Sequence, residues 1–335
     1  MRKSSFAACL LVLMSLLVSA CQSSSTPEAS IAVVLDEIGE NDRSFNQYTL
    51  KGARDAARNL GFRLSYTVSR SSADYERDIE AFAAGGADLI ITAGLLLGDT
   101  TAAVAKRYPA TRFAIVDTAY DPALYLGDLR NVTSLMFAED EAAYPAGVLA
   151  GCLSETGTVA TVAGMELPPV IRYVTGFQNG ARSVNPAIRT LNVYIPSFSD
   201  QAAGRQAAQE FLGQGADVIF GVGGNTGNGA LLAAHEAGRM AIGVDVDQYF
   251  TYPEVAPSLI TSAAKNVDAA AAAAVEAFAV GDLRAGIRLA NVKNNGVGIA
   301  PYHDWESRIP QACKEKVNAA VEGLKNGTIQ TGSTR

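Results

Sequence analysis

The sequence predicts an α/β fold of two βαβ lobes joined by a hinge of several crossover strands. Three observations carry this. Short β-branched runs alternate with longer amphipathic segments, the pattern of parallel sheets covered by helices. The alternation restarts after residue 152. The stretch after residue 258 is too short for a third domain, yet it carries apolar strands and helices that need a sheet to cover.

In the first series, IAVVL over 31–35 reads as a buried strand, and the apolar spacing over 45–60 as a helix. Strands follow over 63–68, 89–92, 113–116 and 132–136, separated by helices over 74–84 and 100–108. A helix over 140–152 leads into the second series, with strands over 158–163, 191–195, 217–220 and 241–244. Its helices fall over 170–183, 201–214 and 228–237. The remainder gives a strand over 259–263, an alanine-rich helix over 267–280, a strand over 297–300 and a last helix over 310–324. Returning the tail to the first lobe and back is the economical solution. The expected division is residues 31–136 plus about 265–300 in the first lobe, and 137–262 plus about 305–330 in the second. Such a cleft suits closure around a small ligand.

The N-terminus gives an address. Arg2 and Lys3 precede an apolar stretch over 6–18, and small residues lead directly to Cys21. This is the order of a secretory signal, residues 1–20, with its cleavage site. Cysteine at that point resembles the lipobox of bacterial lipoproteins, which implies a lipidated Cys21 followed by a flexible tether through residue 30. No other stretch approaches the roughly 20 apolar residues of a membrane helix. The expected location is the cell membrane, lipid-anchored, with the soluble domain facing the periplasm or exterior.

Composition narrows the chemistry. Hydrophobic residues make up 48% of the 335, enough for a substantial core, and the formal charge of −7 argues against nucleic acid as a partner. Of the four cysteines, Cys9 leaves with the signal and Cys21 is lipidated. Cys152 and Cys313 remain where disulfides persist; the sequence alone leaves open a bond or two separate buried thiols. The two histidines, His235 and His303, lack metal-ligand spacing, so no metal site and no histidine-based triad is expected.

In open α/β sheets ligands bind beyond the carboxyl ends of the strands, and there the polar and aromatic residues collect. Asp36 follows the first strand. Phe45 and Asn46 open the next helix, an aromatic for stacking beside an amide for hydrogen bonding, although Phe45 also fits a core position. Asp42 and Ser44 read as helix caps. Asp117 ends FAIVD, Phe198 lies in the loop after 191–195, and Asp245 ends AIGVD, with Lys265 closing LITSAAK. Arg172 fits the cleft and the surface equally. GVGGNTG over 221–227 offers bare backbone N–H groups at a helix start, with Gly223 among them. It matches neither G-x-G-x-x-G nor a P-loop, so no nucleotide cofactor is expected.

DRSFNQ, FAIVD, the run from Met136-Phe137 to Leu149-Ala150-Gly151, Gly176-Phe177, SFSD, GADVIF, IGVDVDQ and TSAAK occur in this order. Together they resemble the basic membrane protein family of ABC-transporter substrate-binding lipoproteins, whose known members include purine nucleoside receptors. The resemblance covers nearly all of the mature chain. It implies a periplasmic binding protein type I fold, a nucleoside ligand and an ABC permease as partner. It also implies that Phe45 and Phe198 sandwich the base, that Asp36, Asn46 and Asp117 read the base edge, and that Gly223, Asp245 and Lys265 hold the ribose. Two departures stand out: Arg43 where lysine is usual, and GMELPP over 164–169 in place of a Gly-Met-Asp-Ile-Pro form. Two other classes stay open. One is an exported nucleoside hydrolase-like enzyme with calcium near Asp36 and Asp42; the other is a receptor lipoprotein that senses ligand without transport.

Overall fold

The computed structural model describes residues 29–120 and 129–333. The signal, Cys21 and nearly all of the tether lie outside the described residues. In chain order the first lobe contains β1 (Ser30–Leu35), α1 (Phe45–Asn59), β2 (Arg63–Val68), α2 (Tyr75–Ala84), β3 (Leu89–Thr92), α3 (Gly98–Arg107), β4 (Arg112–Val116) and β5 (Val132–Phe137). The second contains α4 (Glu139–Leu153), β6 (Thr158–Ala163), α5 (Pro168–Val184), β7 (Arg189–Tyr194), α6 (Gln201–Gly213), β8 (Val218–Val222), α7 (Gly224–Glu236), β9 (Met240–Asp245), α8 (Gln248–Thr251) and β10 (Leu259–Lys265). The chain closes with α9 (Val267–Ala279), β11 (Gly286–Ala290), β12 (Val297–Ile299) and α10 (Gln311–Asn326).

Two six-stranded sheets form, ordered β11-β5-β4-β3-β1-β2 and β12-β10-β9-β8-β6-β7. Their strands run parallel except β12, which pairs antiparallel with β10. Alternate side chains serve opposite faces of each sheet. Ile31, Val33 and Leu35 of β1 enter one core while Ala32 and Val34 enter another. Both faces of β1 are therefore dry, and each fully buried Val, Leu or Ile contributes about 1.5–3 kcal/mol. The core holding Ile31 also holds Val159 and Phe220 of the second lobe, so it runs through the hinge.

Among the described residues the chain crosses between the lobes three times, after β5, after β10 and after β11. One expectation is corrected here. The strand over 297–300, assigned to the first lobe, joins the second sheet as β12; the strand that returns to the first sheet is β11. β11 escaped the sequence reading because it is an edge strand, with Ile287 56% and Leu289 39% exposed. It therefore lacks the continuous apolar run of a buried strand. α9 packs on α1 and α10 packs on α4.

Helix α4 is buried from Glu139 to Gly151, and glycines make this possible. A Cβ on Gly147 would lie 2.0 Å from the Phe177 carbonyl oxygen, and one on Gly180 would lie 2.0 Å from that of Tyr144. α4 and α5 thus meet backbone to backbone. Cys152 at the end of α4 is bonded to Cys313 in α10 across 161 residues of sequence, tying the last helix to the second lobe.

Candidate ligand-binding cleft

The carboxyl ends of both sheets face one cavity of about 630 Å³, counting its open mouth. From the first lobe it is lined by Asp36 after β1, Gly94 to Leu96 after β3, Asp117 after β4, and Asp42 and Phe45 around the start of α1. The second lobe supplies Leu167, Pro169, Val170 and Tyr173 at the start of α5, Phe198 after β7, and Gly223 and Gly224 after β8. It also supplies Asp245 and Lys265 at the ends of β9 and β10.

Lys265 occupies the deep end, next to the crossovers. Its Nζ donates to Asp117 Oδ2 at 2.5 Å and lies 3.5 Å from Glu139 Oε1 and 3.8 Å from Asp245 Oδ1. Burial works against the ammonium, but Asp117, Glu139 and Asp245 outweigh it and hold the lysine pKa above its usual value. The same Nζ lies 4.8 Å from the Phe45 ring centroid, within cation–π range. Glu139, fully buried, accepts from Arg172 Nε at 2.6 Å. Burial raises the Glu139 pKa, and Lys265 and Arg172 oppose the rise. Arg172 is therefore a buried partner of the hinge cluster and not a surface residue.

Asp117 and Asp245 occupy equivalent strand ends and share an unusual backbone. Both are in the left-handed region, at φ 63° and 65°, where only Gly, Asn and Asp are at ease. Each aims its carboxylate at Lys265. Burial is also the main force on Asp245, raising its pKa, with Lys265 opposing. Tyr173 donates its hydroxyl to Asp245 Oδ1 at 3.3 Å.

Asp36 is held differently. Its Oδ1 accepts from Asn46 Nδ2 at 2.7 Å and from the Ile38 backbone N–H at 3.1 Å. Burial lifts its pKa to about 7, although both hydrogen bonds pull it down. Asn46 is 0% exposed and is absent from the cavity wall, so it orients Asp36 from behind. The other seven residues expected at the site do line the cavity. Asp42 is the cap: its carboxylate accepts the backbone N–H groups of Ser44, Asn46 and Gln47 at 3.1, 2.7 and 3.1 Å. The Ser44 hydroxyl makes no capping hydrogen bond.

The aromatic walls sit on glycines. Phe45 packs against Gly94, where a Cβ would lie 3.5 Å from Cε1. Phe198 lies over Gly164 and Gly223, whose added Cβ atoms would meet its Cδ1 at 2.4 and 3.0 Å. Gly223 also needs φ 96°, which a side chain would resist. Sequence reasoning missed Tyr173 and Glu139. The signal for Tyr173 was its spacing from Pro169 and Val170 on one face of a helix start. For Glu139 it was an acidic triplet opening an otherwise apolar helix. Among the described residues no cluster of three or more His, Cys, Asp or Glu could hold a metal ion. No helix there is long and apolar enough to cross a membrane.

The chain is 36% identical over 231 residues to an ABC transporter nucleoside-binding protein, BmpA, of Lactococcus lactis, covering 65% of this chain and 64% of that one. It is 30% identical over 363 aligned positions to a CD4+ T-cell-stimulating antigen of Listeria monocytogenes, covering 98% and 99%. A solved ABC transporter solute-binding protein of Aeropyrum pernix superposes with a TM-score of 0.83 at 27% identity, covering 92% and 94%. The α/β architecture with two parallel-sheet lobes is that of such solute-binding proteins, the periplasmic binding protein type I fold. Residues 29–333 match the Bmp family model, described as ABC transporter substrate-binding protein PnrA-like, and the chain belongs to that family.

Proposed function

We propose that this protein captures a nucleoside, of the purine class, between its two lobes and delivers it to an ABC permease, tethered to the membrane by lipid on Cys21. The observation that carries the reading is a cavity with one phenylalanine from each lobe, Phe45 and Phe198, whose nearby cations are already neutralised. Lys265 faces three carboxylates, and Arg172 is paired with Glu139. A base between the two rings would gain about 1–3 kcal/mol from each face. Asp36 and Asp117 would meet polar groups on the base edge, with Asn46 acting through Asp36. Asp245, Lys265 and the open backbone at Gly223 would meet the ribose hydroxyls through charge-assisted hydrogen bonds. Among the described residues Lys265 is the cation that lines the cavity, and it already faces three carboxylates, so a phosphate is disfavoured and a nucleoside is preferred to a nucleotide.

Capture follows from lobe closure, since a ligand touching both walls stabilises the closed state over the open one. The hydrolase reading draws less support, because the Asp42 carboxylate accepts three backbone N–H groups that cap α1. A thermal-shift screen against nucleosides, free bases, flavins and sugars tests the proposal. Ligand at 100 times Kd should stabilise the fold by about 2.7 kcal/mol. Stabilisation by purine nucleosides supports the reading; a response confined to nucleotides or sugars overturns it.

A further inference from the structure

The cleft rim carries a second set of contacts whose interlobe side chains do not line the cavity. Arg43 of the first lobe reaches across to the second. Its Nη1 and Nη2 donate to Glu254 Oε2 and Oε1 at 2.7 and 3.0 Å, and its Cζ lies 4.3 Å from the Tyr252 ring centroid. The Arg43 carbonyl accepts from Thr251 Oγ1 at 2.6 Å, and the Asp42 carbonyl accepts from Asn228 Nδ2 at 3.0 Å. Gln248 Nε2 in turn donates to Asn228 Oδ1 at 2.9 Å. Two consecutive residues of the first lobe are thus gripped through side chain and backbone by α7, α8 and the loop that follows.

Three features make this more than an ordinary surface pair. The Arg–carboxylate contact is bidentate and rests on an aromatic ring, which adds to a pairing otherwise weak at an exposed position. Arg43 sits at φ 63°, a conformation that a long side chain adopts at a cost and that the anchors on the opposite lobe hold in place. The gripped loop also leads into α1: Asp42 caps that helix, and Phe45 follows two residues after Arg43.

We propose that Arg43 and Glu254 form a rim latch. They are positioning residues that pair only when the lobes are closed, hold part of the ligand-free population closed, and set residence time without selecting among ligands. Separating the lobes breaks the pair, the ring contact and both backbone hydrogen bonds together, so opening has to break several contacts at once. The latch rests on the reading of the cleft as a capture site, and its ligand-free readout is independent of which ligand is captured.

The test uses the full chain with Glu254→Gln, Arg43→Lys and the exchange pair Arg43→Glu with Glu254→Arg. Inosine and adenosine serve as probes, with a spin label on each lobe reporting interlobe distances. Glu254→Gln should raise the dissociation rates of both probes by the same factor, roughly five- to tenfold, with association changed less than about twofold. It should also shift the ligand-free distance distribution toward longer values. Arg43→Lys, which keeps the charge but loses the fork, should fall between it and the parent, and the exchange pair should recover part of the loss. An unchanged distance distribution, or an effect on one nucleoside only, overturns the latch. If neither nucleoside binds, the capture reading fails while the distance distribution still decides the latch.

Discussion

The two lobes share one strand order and divide the work at the cleft unequally. Where the first sheet ends β1 in Asp36, the second ends β6 in Gly164. Where the first ends β3 in Gly94, the second ends β8 in the pair Gly223-Gly224. The first lobe therefore presents carboxylates, and the second presents open backbone, an aliphatic wall at the start of α5 and the lysine. Only β4 and β9 end alike, in Asp117 and Asp245, each in the left-handed conformation. Lys265 lies between them at 2.5 and 3.8 Å. The difference teaches that the lobes are not two half-sites for the same group. The first side lines the cavity with Asp36, Asp42 and Asp117, the second with close backbone approach and the single carboxylate Asp245, and a buried ammonium at the hinge meets carboxylates from both.

Removing that ammonium should break the comparison most severely. Lys265→Met leaves Asp117, Glu139 and Asp245 facing one another in a dry hinge. Loss of one partner from a buried ion cluster costs about 3–5 kcal/mol, readable by urea denaturation; unchanged stability would show that the three carboxylates are not held by the lysine. The disulfide comes next and belongs to the second lobe alone. Replacing Cys152 and Cys313 by serine should lower stability by about 2–5 kcal/mol and leave ligand affinity at the parental value, because neither sulfur approaches the cavity. A loss of affinity would show that α10 reaches the site.

The aromatic walls sharpen the comparison by asking whether both lobes stack. Phe45→Ala and Phe198→Ala should each weaken nucleoside binding by about 1–3 kcal/mol in calorimetry. Gly164→Ala should imitate Phe198→Ala, since its Cβ would press 2.4 Å from the Phe198 ring. A loss at Phe45 only would mean that the second lobe closes over the ligand without stacking.

The smallest effect is a slope with pH, and it comes from the first lobe. The Asp36 pKa is lifted from 3.8 to about 7 by burial, so the folded state holds a proton that the unfolded chain releases. Its contribution is fully present below about pH 4 and is lost as pH rises through about 7. Asp42, lifted to about 6 for the same reason, acts in the same direction. Asp36→Asn should flatten the fall in stability between pH 4 and 7, measured by denaturation at fixed ionic strength. A slope as steep as the parent's would assign it to other groups.

Much of the fold is legible in the sequence. Strands buried on both faces announce themselves as runs such as IAVVL, and strand-end carboxylates such as Asp117 and Asp245 fall where open sheets bind ligands. β11 was not legible, because an exposed edge strand needs no apolar run. Asn46 shows a second limit. Its helical position was clear, but whether its amide faces the ligand or the neighbouring Asp36 depends on how the 36–44 loop folds back. Arg172 and Glu139 show a third, since charges buried in a hinge are identified only when their partners, distant in sequence, arrive.

The central claim is that a paired-aromatic cleft with its cations already neutralised takes an uncharged nucleoside. Calorimetric titration with inosine and with its 5′-monophosphate, side by side, tests it most directly. Saturable binding of inosine, with at least about a hundredfold weaker binding of the monophosphate, or some 2.7 kcal/mol, is the predicted result. Equal or tighter binding of the monophosphate would contradict it, since Lys265 would then have to leave its three carboxylates for a phosphate.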